Sequence, residues 1–223
     1  ESPAGVDMEK PRFSWALEAS ENGVEQAAYQ VVVASSRADL SPGSADMWDT
    51  GKVQSSEQVN VTYDGEPLQS GEKYYWKVRA WNEDGQAGQW SDVASFQMGL
   101  LDEDEWEGEW IGAPSTDVSA PMLRKEFDVD KEIESAYVNI CGLGYYEMFL
   151  NGQKVGDHIM DPGTTEYDKR ALYETYDVTS HLNSGANAVG VWLGNGYWKH
   201  TAKAWYDHAK EPYGDRPVVL MQL

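Results

Sequence analysis

Short runs in which apolar and polar residues alternate, rich in Val, Tyr, Trp and Thr, recur along this chain between clusters of Gly, Asn, Asp, Ser and Pro. Successive side chains of a strand point to opposite faces, so this period of two predicts half-buried strands. Long amphipathic helical patterns are missing almost everywhere, and the fold class expected is all-β. In the first half the runs are Tyr29 to Ala34, Gln58 to Tyr63, Tyr74 to Trp81 and Trp90 to Met98. Within Tyr74 to Trp81, Tyr75, Lys77 and Arg79 alternate with Tyr74, Trp76, Val78 and Ala80, which predicts one wet face and one core face. Asp84-Gly85 between the last two runs fits a hairpin turn that needs positive φ.

A short acidic stretch, Gly99 to Trp110, follows the fourth run and marks a domain boundary. Beyond it a second β series is predicted: Met122 to Val129, Ser135 to Ile140, Tyr145 to Leu150, Leu172 to Val178, Ala188 to Leu193 and Pro217 to Leu223. Asn151-Gly152 is a strong hairpin signal. Asp177 to Leu182 reads as a single helical turn capped by Asp177 or Thr179. The domains expected are residues 1–99 and 111–223, joined by a linker at 100–110.

Composition alters this picture in three ways. Hydrophobic residues make up 41% and charged residues 25%, enough apolar material for packed cores, which argues against disorder. A formal net charge of -21 repels phosphate backbones and anionic lipid, so neither nucleic acid nor membrane insertion is expected. The 10 Trp and 13 Tyr outnumber the 4 Phe, and rings with a polar edge suit half-wet surfaces and sugar faces. Cys141 stands alone in a strand pattern and is expected to be a small core residue. No charged-then-apolar leader opens the chain.

The run PRFSW from Pro11, AYQVVVASS from Ala28, WDTGKV from Trp48, YYWKVRAWNEDGQAGQWS from Tyr74 and FQMGLL from Phe96 resembles the fibronectin type III-like module that opens bacterial alpha-L-rhamnosidases. EWIGAP from Glu109, LRKEFDV from Leu123, the long stretch from Gly142 to Thr179 and GVWLGNGYW from Gly190 are similar to the β-sandwich that follows it in the same enzymes. The resemblance covers nearly all of the chain, in order. It implies two tandem β-sandwiches, the first fibronectin type III or immunoglobulin-like, the second of jelly-roll or galactose-binding-like form. It also implies a secreted or periplasmic parent whose catalytic helical barrel lies C-terminal to these modules. The second sandwich is expected to stop short at Leu223.

Candidate chemistry follows from residues and resemblance together. Inverting glycoside hydrolysis needs two carboxyl groups about 6.5 to 9.5 Å apart. Glu103 and Glu105, or Glu132 and Glu134, lie in charged loop-like stretches, so no catalytic pair is expected here. Trp192, Asn195, Tyr197, Trp198, Trp205 and Tyr206 crowd a Gly-rich turn after a core strand. Asn195, Tyr197, Trp198 and Trp205 are the candidates for binding a rhamnose-containing glycan, and the competing reading makes the same rings a docking face for the catalytic domain. In some rhamnosidases the corresponding sandwich binds rhamnose through calcium, so the resemblance implies Ca2+ as a possible cofactor. Glu147, Asp157 and Asp161, with Asn195, are the oxygen donors to consider. His158, His181, His200 and His208 show no zinc spacing and are expected at surface or capping positions. Of the aromatic set Trp15, Trp48, Trp76, Trp81 and Trp90 in the first module, Trp15 and Trp76 sit in strand patterns and are expected to pack its core, and no ligand is assigned to the module.

Overall fold

A computed structural model of the chain describes residues 2–19, 23–199 and 213–223. They form two compact units that divide between Glu105 and Trp106. Both are all-β sandwiches.

In the first unit the strands are β1 (Arg12–Phe13), β2 (Gln26–Ala34), β3 (Trp48–Asp49), β4 (Val53–Gln54), β5 (Val61–Thr62), β6 (Lys73–Asn82) and β7 (Ala94–Gln97). β1 pairs with β5, and the larger sheet runs β3-β2-β6-β7 with β4 also on β2. Phe13, Tyr29, Val31, Val33, Tyr63, Val78 and Phe96 fill the space between them. Phe13 packs at 4.8 Å from Trp76 and 5.8 Å from Phe96, ring centre to ring centre. Trp15 and Trp48 pack against the same core, and Trp15 donates its indole N–H to the buried Gln26. Burial of these rings is the dominant stabilising term for the unit.

The face of β6 expected to be wet is instead carpeted. Arg79 lies 4.6 Å over the ring of Trp81 and 4.7 Å over that of Trp90, and Lys77 lies 5.0 Å over Trp90. Long cationic side chains thus spread their stems across apolar rings while keeping their charge near water. A small second cluster, Val32, Ala34 and Leu40 with Tyr75 and Trp90, covers the same side of the sheet.

The second unit contains β8 (Ile111–Gly112), β9 (Met122–Val129), β10 (Tyr137–Leu143), β11 (Tyr145–Leu150), β12 (Gln153–Lys154), β13 (Glu174–Asp177), β14 (Gly185–Gly194) and β15 (Val218–Gln222). Two four-stranded sheets, β13-β10-β15-β8 and β12-β11-β14-β9, enclose Val138, Ile140, Met148, Leu150, Val191 and Val219. Asn151 and Gly152 both take positive φ, 50° and 82°, and turn β11 back into β12 as their sequence demands. A single 3-10 turn spans Thr179–His181, and the Asp177 carboxylate accepts the N–H of Thr179. No helix among the described residues is long and apolar enough to cross a membrane.

Cys141 is buried in β10, and desolvation pushes its thiol from 9.0 up to about 12. Because the folded value lies above the unfolded one, the neutral thiol favours folding fully below about pH 9, and that contribution fades as the pH rises towards 12. Below pH 9 the buried thiol therefore carries a thiolate fraction about a thousand-fold smaller than an exposed one would. Ellman's reagent at pH 8 is expected to leave the native chain unlabelled and to label it stoichiometrically once it is unfolded in guanidinium. Rapid labelling of the folded chain would contradict the burial.

Candidate functional site

Two places in the second unit gather the residues singled out above. The first is the loop end of the sandwich, where β14 runs out at Gly194. The N–H of Lys199 returns to the carbonyl of Asn195 at 3.1 Å, closing one turn over 195–199. Trp198 is pinned within it. Its indole N–H donates to the carbonyl of Arg216 at 2.9 Å, and the backbone carbonyl of Trp198 accepts the N–H of Gly214 at 3.1 Å. Gly214 lies so close that a Cβ there would sit 2.2 Å from the indole nitrogen, so one face of Trp198 is occupied by backbone. Tyr167 meets it edge-on at 5.5 Å and Tyr213 is parallel to it within 9°.

This packing divides the sequence candidates. Trp198 is a structural floor rather than an open platform. Tyr197, next to it, is 51% exposed. Asn195 buries its side-chain Oδ1 without a hydrogen-bond partner among the described residues, and a buried acceptor left unpaired costs about 1–3 kcal/mol. Trp205, with Tyr206, His200 and His208, lies outside the described residues. Trp192 does not join the group: it sits between the inward Val191 and Leu193, faces the outside of the sheet and packs edge-on against Phe149 at 6.2 Å. Tyr167 and Tyr213 were missed by sequence reasoning because each stands in a loop with no period to mark its direction.

The second place is where the connection from β12 crosses to β13. Asp161 presents its backbone carbonyl to the N–H of Tyr146 at 2.9 Å. Its Oδ2 accepts the Tyr176 hydroxyl at 2.9 Å and lies 2.9 Å from His158 Nδ1. Tyr146 and Tyr176 share a hydroxyl contact at 3.3 Å, and burial, with these acidic neighbours, pushes both phenols well above their ordinary value. Glu174 completes the group. Its carboxyl is raised by burial and then by Asp161, with His158 opposing the rise. One donor atom each from His158, Asp161 and Glu174 lies within 4.8 Å of the others.

Of the three carboxylates named as metal candidates, only Asp161 belongs to this group. Glu147 points to the outside of the sheet, opposite Trp192 in register, and pairs with Lys154 at 3.0 Å. The side chain of Asp157 is fully exposed. His158 is exposed, as expected of a surface histidine, and Asp161 holds its ring. The i, i+2 spacing of Glu174 and Tyr176 in one strand was the available signal that they share a face.

Residues 1–102 match a family model described as a Rha78A-like N-terminal immunoglobulin domain, and residues 131–223 match the alpha-L-rhamnosidase N-terminal domain. An alpha-L-rhamnosidase of Formosa agariphila is 40% identical over the whole of this chain and 26% of its own length. The chain carries the N-terminal domains of the alpha-L-rhamnosidase family. The solved alpha-L-rhamnosidase from Dictyoglumus thermophilum superposes with a TM-score of 0.86 at 40% identity, over 99% of this chain and 26% of that one. The Streptomyces avermitilis enzyme, solved with L-rhamnose, shares the fold with a TM-score of 0.87 at 23% identity, over 99% of this chain and 38% of that one. This chain thus spans about a quarter of the curated rhamnosidases it matches.

Calcium can be tested against the rhamnosidase residues that stand here. It takes six to eight oxygens on one centre. Glu147 already holds an ammonium group, Asp157 faces solvent and Asn195 belongs to the loop end, so the four named oxygen donors do not converge on one shell. The group that does converge contains an imidazole, which suits borderline transition ions better than calcium.

Proposed function

We propose that the chain is a non-catalytic accessory part of an alpha-L-rhamnosidase and that its second sandwich holds a rhamnose-containing glycan at its loop end. The observation that carries this is Asn195: its buried Oδ1, unpaired among the described residues, lies two residues from the half-exposed ring of Tyr197. A pyranose has an apolar face to lay on an aromatic ring and hydroxyl donors to satisfy a buried acceptor. The Trp198, Tyr167 and Tyr213 rings beneath supply rigidity, so little ordering entropy is lost on binding. A net charge of -21 does not oppose a neutral sugar.

Calorimetric titration with L-rhamnose, with and without calcium, tests this. A dissociation constant on the order of 1 mM is expected, as suits a single sugar unit in an open site. Asn195→Ala and Tyr197→Ala should each weaken it about tenfold, a loss of about 1.4 kcal/mol. Absence of heat and of amide shifts at several times that concentration would remove the binding reading. The effect of calcium, implied by the family resemblance, is read in the same experiment.

A different observation favours a second reading for the other face. On the outside of the β12-β11-β14-β9 sheet, Met122 is 72% and Trp192 48% exposed, directly opposite each other in register, beside Phe149. Exposed apolar neighbours of this kind mark contact surfaces, and the catalytic domain of the parent enzyme is the partner we assign to them. The two readings use different residues. Trp192→Ala should therefore leave the rhamnose titration unchanged.

A further inference from the structure

The His158, Asp161 and Glu174 group belongs to neither surface. We propose that these three side chains form a binding site for one borderline divalent transition ion of the zinc class, which ties the connection between β12 and β13 to the β13 strand.

The geometry supplies the first argument. Zinc holds imidazole and carboxylate ligands at about 2.0–2.2 Å in a tetrahedron, so two ligands on one ion stand about 3.3–3.6 Å apart. The three donor atoms already lie within 4.8 Å of one another, and small side-chain rotations bring them to that spacing. The backbone around them is fixed. Tyr146 donates its N–H to the Asp161 carbonyl, and Gly156 fits so closely under Tyr176 that a Cβ there would meet the ring at 2.5 Å.

Hydrogen bonding supplies the second. Asp161 Oδ2 accepts the hydroxyl of Tyr176, which orients the carboxylate as outer hydrogen bonds orient the ligands of natural metal sites. Glu174 pairs with Ile140 in the ladder, but its half-buried carboxylate has no hydrogen-bond or ion-pair partner among the described residues. The nearby ammonium of Lys154 is engaged elsewhere, by Glu147 at 3.0 Å and the carbonyl of His158 at 3.3 Å. Two carboxylates are thus gathered round one imidazole, and a divalent ion would balance both of them.

The imidazole selects the ion. Calcium and magnesium prefer oxygen throughout, whereas imidazole with carboxylates suits zinc, nickel, cobalt and copper. Three protein ligands leave a position for water. The ion would span the passage from one sheet to the other, since β12 and β13 lie in different sheets.

The chain, stripped with a chelator, is titrated with Zn2+ by calorimetry and with Co2+ by visible absorption. One ion per chain is expected, with cobalt d–d bands and a rise of several degrees in the unfolding temperature of the second unit at saturating zinc. His158→Ala and the isosteric Glu174→Gln should each weaken zinc at least about tenfold, while Asp130→Asn, at an exposed position outside the group, leaves it unchanged. Calcium in excess should not displace cobalt. The proposal is overturned by no binding of either ion, by binding that His158→Ala leaves intact, or by calcium competing on equal terms. Rhamnose titration of the same variants separates this site from the loop end, because loss of zinc should leave sugar heats as they are.

Discussion

Asn187→Ala is expected to cost the second unit about 3 kcal/mol. Asn187 is 4% exposed and uses all of its hydrogen-bonding capacity. Its Oδ1 accepts from Asn151 Nδ2 and from the N–H of Asn183, each at 2.8 Å, and its Nδ2 donates to the carbonyls of Asn183 and Gly185 at the same distance. Asn151 carries the network on, to the carbonyl of His181 and from the N–H of Ala188. Truncation removes four bonds at about 1 kcal/mol each and leaves buried partners unpaired, with water recovering part of the loss. For a unit of this size, a loss of about 3 kcal/mol lowers the unfolding temperature by about 10–15 °C, measured by calorimetry. Asn183→Ala is the control. Asn183 contributes only its backbone to the network, so its truncation should cost less than about 0.5 kcal/mol. Equal effects at 183 and 187 would mean that the network carries little stability.

That network explains part of what the sequence could convey. Where a strand pairs regularly, its period is legible: β9 and β11 begin and end at the predicted residues, and the Asn151-Gly152 turn follows from its dipeptide alone. Where backbone bonding is irregular, the period misleads. Gln58 to Tyr63 alternates like a strand, yet only Val61–Thr62 pair. Asn60 takes a φ of 59° with its N–H held by Ser14, which breaks the ladder. Residues 90–93 likewise run beside β6 through single bonds such as Ser91 to Val78, and a ladder forms only from Ala94. The two-residue strands β1, β3, β4, β5, β8 and β12 are too short to show any period.

The candidate sites were legible as composition and not as geometry. The density of rings near Asn195 was plain, but strand alternation already placed Trp192 on the opposite face from Val191 and Leu193, and grouping it with Tyr197 and Trp198 ignored that period. That Trp198 is closed by Gly214 depends on a contact between residues sixteen positions apart in the sequence, which no local pattern encodes. The three members of the metal group lie at positions 158, 161 and 174 and meet only because the connection folds back on Tyr146 and Tyr176.

Gly144→Ala is expected to cost about 4 kcal/mol and to reach the loop end directly. Gly144 links β10 to β11 with a φ of +108°, a region L side chains rarely enter, which alone costs about 1–3 kcal/mol. A Cβ there would also lie 2.2 Å from the carbonyl oxygen of Gly194 and 3.2 Å from that of Asn195. Both contacts are with backbone, so relief requires moving the end of β14 away from β11, and overpacking of this kind adds about 1–3 kcal/mol. Gly152→Ala separates the two terms. Its φ of +82° is similarly unfavourable, but nothing stands within 4 Å of its Cβ, so it should lose only the backbone part. Calorimetry of the two variants should place the second-unit transition of Gly144→Ala clearly below that of Gly152→Ala, and equal transitions would show that the Gly194 contact relaxes freely. The same pair reads function. Gly196 also leans on Gly144, with 3.2 Å between its would-be Cβ and the Gly144 Cα, so Gly144→Ala displaces the turn that carries Asn195 and Tyr197. Rhamnose binding at that turn is then expected to be lost in folded Gly144→Ala at low temperature and retained in Gly152→Ala. Retention in both would move any sugar site away from the loop end.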